Sequence, residues 1–132
     1  MHGIRLNQIT LGATHMAASV SFYQKLGLNI IVDSAPRYVR FEFPLPPDGG
    51  EPATLSLHSL APDWQTSNSA PLIYFEVDDI IAFLRDADLS PIAPPIDQRY
   101  LWREADIVDP AGNRIRLYTA GSNRRFPPWR VE

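Results

Sequence analysis

Along much of the chain apolar and polar residues alternate, and between these stretches apolar residues recur every three or four positions. Leu6 to Leu11 alternates (LNQITL), as a half-buried strand does. Met16, Val20, Tyr23 and Leu26 then share one helical face, with Thr14 as the predicted N-cap and Gly27 as the predicted stop. Leu28 to Val32 is a short apolar run that predicts a strand. Tyr38 to Phe43 alternates again, with Val39, Phe41 and Phe43 on one face and Tyr38, Arg40 and Glu42 on the other. Ala53 to His58 does likewise, setting Ala53, Leu55 and Leu57 against Thr54, Ser56 and His58.

After a polar, turn-rich stretch the same order restarts. Leu72 to Val77 predicts a strand, and Asp78 is the predicted cap of a helix carrying Ile81, Phe83, Leu84 and Ala87. Ile92 to Ile96 is bounded by prolines and predicts an edge strand. Tyr100 to Val108 predicts a longer strand, Asp109 to Asn113 (DPAGN) a tight turn, and Arg114 to Tyr118 a final strand. The chain thus reads as strand, helix and three strands, twice over, and such a repeat decides the fold before any detail does. Gln8-Ile9-Thr10-Leu11 aligns with Leu72-Ile73-Tyr74-Phe75, and Ser56-Leu57-His58 aligns with Arg116-Leu117-Tyr118. A shift in the alignment predicts a second helix about one turn shorter than the first. The expected organisation is one domain: a first module over 4–60, a linker over 61–70, a second module over 71–120 and a tail over 121–132.

Composition narrows the function classes. A chain of 132 residues is one domain's worth and can bury a core without covalent staples. The net charge of -3 carries no nucleic-acid footprint, and Arg124, Arg125 and Arg130 read as a solvated end. There is no cysteine, which excludes disulfides, thiol nucleophiles and cysteine-bound zinc and fits a reducing compartment. No signal-peptide pattern follows Met1, and no apolar stretch is long enough to span a bilayer. The expectation is a cytoplasmic protein without nucleic-acid or membrane partners.

Three pieces of the sequence resemble the vicinal oxygen chelate superfamily, which includes glyoxalase I, extradiol dioxygenases and bleomycin-resistance proteins. ITLGATHMAASVSFYQKLGL is similar to the family's opening strand and helix, with its marks at Ser19, Phe22, Tyr23, Leu26 and Gly27. YFEVDDIIAFL is similar to its second opening, and DIVDPAGNRIRL to the turn before its last strand. The resemblance implies an α+β fold: two βαβββ modules in tandem forming a cleft-bearing curved mixed sheet with helices on the outer face. Strand alternation then puts Ile9, Leu11, Leu55, Leu57, Ile73, Phe75, Ile115 and Leu117 under the helices. Gln8, Thr10, Ser56, His58, Leu72, Tyr74, Arg116 and Tyr118 would line the cleft.

Metal-using relatives place ligands at four strand positions, which the resemblance carries onto Gln8, Ser56, Leu72 and Arg116. Gln8 can offer its amide oxygen; Ser56 is a poor neutral ligand and Leu72 has no donor. Arg116 brings a cation that does not deprotonate in a protein. At about 4 Å and an effective dielectric of about 20, its repulsion of a divalent ion costs about 8 kcal/mol. The family's divalent metal site is therefore expected to be lost, with no cofactor in its place.

Arg116 then has two readings: an anchor for an anionic or carbonyl-bearing ligand, or a salt bridge to a carboxylate such as Glu42. His58 and Glu42 are the candidates for acid/base catalysis, although a lone histidine is more often a plain pocket residue. Tyr38, Arg40, Tyr74, Trp102 and Tyr118 complete the expected ligand-binding set, as aromatic surfaces or hydrogen-bonding groups. Three functions compete. One is metal-independent binding of a small anionic or aromatic molecule, in a homodimer like the bleomycin-resistance relatives. The second is a lyase, isomerase or dioxygenase with an altered metal-ligand set, or metal-free acid/base catalysis. The third is a structural module whose cleft is filled by its own side chains.

Overall fold

A computed structural model of the protein describes residues 2–131. Its strands and helices follow the order β1 (Gln8–Ala13), α1 (Met16–Lys25), β2 (Asn29–Ser34), β3 (Tyr38–Glu42), β4 (Thr54–Ser59), β5 (Ile73–Glu76), α2 (Ile80–Ala87), β6 (Ile96–Asp97), β7 (Arg103–Val108) and β8 (Arg114–Thr119). The chain divides into two compact units, with the boundary between Thr66 and Ser67. The architecture is α+β, with the βαβββ order repeated in tandem.

In the first unit the sheet order is β1-β4-β3-β2, with β1 parallel to β4 and the other pairs antiparallel. In the second the order is β5-β8-β7-β6, with β5 parallel to β8. The registers reproduce the repeat read from sequence. Ile9 lies opposite Leu55 and Thr10 opposite Ser56; in the second unit Ile73 lies opposite Ile115 and Tyr74 opposite Arg116.

One face of each sheet carries the core. Leu55, Leu57, Ile115 and Leu117 have 0% exposure, as their alternating positions predict. Tyr23 of α1 meets Phe41 of β3 with ring centroids 6.0 Å apart. On α2, Ile80, Leu84 and Ala87 are buried, whereas Ile81 faces solvent.

Several boundaries differ from the predicted ones. The N-cap of α1 is His15, without a side-chain cap, and not Thr14. The cap of α2 is Asp79, whose carboxylate accepts from the Ala82 amide at 3.0 Å, and not Asp78. At the end of α1, Gly27 takes φ +97° while the Leu28 amide donates back to the Tyr23 carbonyl, a closure that glycine favours. The second helix has 8 residues against 10, a difference of about half a turn rather than a whole one.

The strand predicted over Ile92–Ile96 shrinks to Ile96–Asp97, because Pro94 and Pro95 have no amide hydrogen to give a ladder. The strand predicted from Tyr100 begins at Arg103, after Leu101 turns through φ +70°. The DPAGN turn is built as expected: the buried Asp109 carboxylate accepts from the amides of Ala111 and Asn113 at 2.9 and 2.8 Å. Among the described residues no helix is long and apolar enough to cross a membrane.

Candidate functional site

The polar sheet face of each unit carries a side-chain network. In the first unit it is a chain of hydrogen bonds across β1, β4 and β3. The Gln8 amide nitrogen donates to the Ile9 carbonyl at 2.8 Å and to the Ser56 hydroxyl at 3.0 Å. Thr54 donates to the Gln8 amide oxygen. The Ser56 and Tyr38 hydroxyls are 2.5 Å apart, and Arg40 donates through Nε to the Tyr38 oxygen at 2.9 Å. Alternation brings Tyr38 and Arg40 to one side of β3, where the Arg40 guanidinium also lies 5.5 Å from the Tyr38 ring centre. The bond with Ser56, aided by Arg40, holds the Tyr38 phenol below the ordinary tyrosine value, against the opposing effect of burial.

Glu42 and His58, the residues predicted for acid/base work, stand outside this chain. Neither side chain has a hydrogen bond or ion pair among the described residues, and His58 is exposed. A catalytic histidine needs a partner that sets its tautomer, and His58 has none here.

The second unit assembles a different network on β5, β8 and β7. The Asp106 carboxylate takes two hydrogen bonds from Arg116, at 2.7 Å from Nε and 2.9 Å from Nη2. Arg114 donates to the same carboxylate at 2.8 Å. A second carboxylate, Glu104, lies 3.5 Å from Nη1 of Arg116 and accepts from the Tyr100 hydroxyl at 2.8 Å. The Arg116 and Asp106 side chains are only 21% and 10% exposed, so their pairing is weakly screened. Hydrogen bonds from Arg116 hold Asp106 below the usual carboxylate range, and Asp106 in turn raises Arg116. Burial, together with Glu104, pushes the Tyr100 phenol up to about 12.

Arg116 therefore finds its carboxylates on the neighbouring strand. Asp106 lies directly opposite it in the ladder, and takes the role that sequence reading offered to Glu42. Asp106 and Glu104 were legible in principle. The alternation that brings Trp102 to this face brings them too, since they follow at every second residue.

Four aromatic rings adjoin this ion-paired network. Trp102 stacks on Tyr118 at 4.7 Å, and Tyr74 meets both edge-on, at 5.8 and 5.6 Å. Tyr100 meets Trp102 at 5.9 Å. Tyr118 is buried by the stack, which occupies a ring face predicted for a ligand, whereas Tyr74 and Tyr100 remain 42% and 40% exposed. A recess of about 190 Å³ opens beside Glu104, Asp106 and Arg116.

The four positions at which metal-using relatives carry ligands do not fit a divalent ion here. The Gln8 oxygen already accepts from Thr54, and the Ser56 hydroxyl is buried and committed to Tyr38. Leu72 is half-buried and has no donor, and Arg116 presents a cation. Among the described residues no three acidic or histidine side chains converge as an ion would require.

The model of the Glyoxalase/Bleomycin resistance protein/Dioxygenase superfamily matches residues 5–117. Solved structures share the fold at low identity. A glyoxalase/bleomycin resistance protein/dioxygenase from Nocardioides is 18% identical with a TM-score of 0.72, covering 100% of this chain and 92% of that one. Lactoylglutathione lyase from Agrobacterium tumefaciens is 17% identical with a TM-score of 0.63, over 87% and 92% of the two chains. A bleomycin-binding protein complexed with bleomycin is 20% identical with a TM-score of 0.63, over 89% and 98%. No curated protein matches the sequence.

Proposed function

The chain belongs to the glyoxalase/bleomycin resistance protein/dioxygenase superfamily, and within it we propose a metal-independent protein that binds a small aromatic molecule on the polar face of its second sheet. The observation that carries this reading is the cluster of Tyr74, Tyr100, Trp102 and Tyr118 beside charges that cancel one another. Two arginines, Arg114 and Arg116, face two carboxylates, Asp106 and Glu104, so this patch offers a ligand no net charge. Half-exposed rings offer it stacking and edge contacts, each worth about 1 kcal/mol beyond area burial. The anionic class of ligand loses Arg116 as its anchor, because a bidentate carboxylate already occupies that guanidinium. A bleomycin-binding protein shares the fold, so the fold accommodates binding of a small molecule. Homodimerisation belongs to this reading through the resemblance alone, and sedimentation velocity checks it.

The test is titration of chelator-treated protein with benzyl alcohol, a neutral aromatic probe. At about 100 times its dissociation constant the probe should stabilise the fold by about 2.7 kcal/mol. NMR shifts should fall on Tyr74 and Trp102, and Trp102→Ala should lose them. Binding that needs an added divalent ion, or that survives Trp102→Ala unchanged, overturns the proposal.

A further inference from the structure

We propose that Tyr38 is a hydrogen-bond donor for a ligand's carbonyl or carboxylate oxygen, held beside the guanidinium of Arg40. Every residue in this site belongs to the first unit, so it stands independently of the aromatic reading.

The direction of each hydrogen bond in the Gln8 chain follows by elimination. The Ile9 carbonyl can only accept, so the nitrogen of the Gln8 amide must face it at 2.8 Å. Of the other acceptors of that nitrogen, Ser56 at 3.0 Å is closer than Thr10 at 3.3 Å. Ser56 therefore accepts from Gln8, and its own proton goes to the Tyr38 oxygen at 2.5 Å. The reverse arrangement would leave the Ser56 proton without an acceptor at a residue with 0% exposure. Arg40 adds a second donor to the same phenol oxygen.

With two hydrogen bonds arriving at its oxygen, Tyr38 has one group left to satisfy, its own proton. That proton has no acceptor among the described residues. Incoming donors polarise a hydroxyl and strengthen it as a donor. The phenol's pKa, held below the ordinary tyrosine value first by Ser56 and then by Arg40 against the opposing effect of burial, agrees with the same polarity. Arg40 spends only its Nε on Tyr38, and its two terminal nitrogens have no partner among the described residues. A polarised O–H next to an unpaired cation selects an acceptor oxygen, above all one carrying negative charge.

The experiment uses acetate and acetamide as probes, titrated separately and followed by NMR at Tyr38 and Arg40. Both should bind, and Tyr38→Phe, which keeps the ring, should weaken both about tenfold. If Arg40→Gln weakens acetate more than acetamide, the site is for carboxylates; if it affects them equally, the site is for neutral carbonyls. Ultraviolet titration supplies a readout that needs no ligand. One tyrosine should ionise below the ordinary range in the native protein, and Tyr38→Phe should remove it. The proposal is overturned if neither probe binds, if Tyr38→Phe binds both as the native protein does, or if the early-ionising tyrosine persists in that variant. Failure of benzyl alcohol to bind the second unit would leave these results standing, and the reverse also holds.

Discussion

The two units share a backbone plan and the placing of their apolar residues, yet their polar faces carry opposite charge patterns. In the first, Arg40 on the third strand lies opposite Ser56 on the fourth. In the second, Asp106 holds the equivalent of Arg40's place and lies opposite Arg116. Tyr38 opposite His58 likewise corresponds to Glu104 opposite Tyr118. Among the described residues, one unit is left with a cation that no carboxylate neutralises, the other with a closed ion pair. The lesson is that the helix-covered face constrains sequence through packing, whereas the polar face is free to change its chemistry without changing the fold.

The largest effect should be shared by both units. Leu57→Ala and Leu117→Ala each remove a fully buried side chain and should each cost about 3 kcal/mol, as measured by chemical denaturation. A large cost in one and a small cost in the other would break the claimed equivalence of the apolar faces. The next effect should separate the units. Asp106→Ala removes the carboxylate that two arginines share, leaving the largely buried Arg116 only Glu104 at 3.5 Å, and should cost about 3 kcal/mol. Arg40→Ala removes no ion pair and should cost less than about 1 kcal/mol.

Acid should act through the second unit. Asp106 has a folded-state value below its unfolded one, so its contribution is complete above the unfolded value and is lost as pH falls through the folded one. Stability should therefore begin to decline below about pH 4, and Asp106→Asn should remove that share of the decline. The smallest effect is a gain. Ser19 is fully buried in α1 with no partner for its hydroxyl among the described residues, so Ser19→Ala should stabilise by about 1 kcal/mol.

What was legible in the sequence follows the same division. Alternation identified Leu55, Leu57, Ile115 and Leu117 because burial of one sheet face imposes a period of two. The repeat marked the order of elements along the chain, and the DPAGN turn marked where the last hairpin closes. Cap positions were off by one: Asp78 and Asp79 are equally good caps and only the backbone decides between them, whereas at α1 the backbone starts the helix after His15, which makes no side-chain cap. The partner of Arg116 was missed because it depends on cross-strand register. Glu42 and Asp106 are both plausible from composition, and only the β7–β8 ladder sets Asp106 opposite the arginine. The Gln8–Ser56–Tyr38 chain was hidden for the same reason. Its members come from three strands, and their hydrogen-bond directions exist only once those strands are paired.

The most direct test of the contrast between the units is an acetate titration of two variants, Arg40→Gln and Arg116→Gln, followed by NMR on the folded protein. The account predicts that Arg40→Gln loses acetate binding while Arg116→Gln keeps it, because among the described residues Arg116 is paired with carboxylates and Arg40 is not. Retention in Arg40→Gln with loss in Arg116→Gln would contradict it.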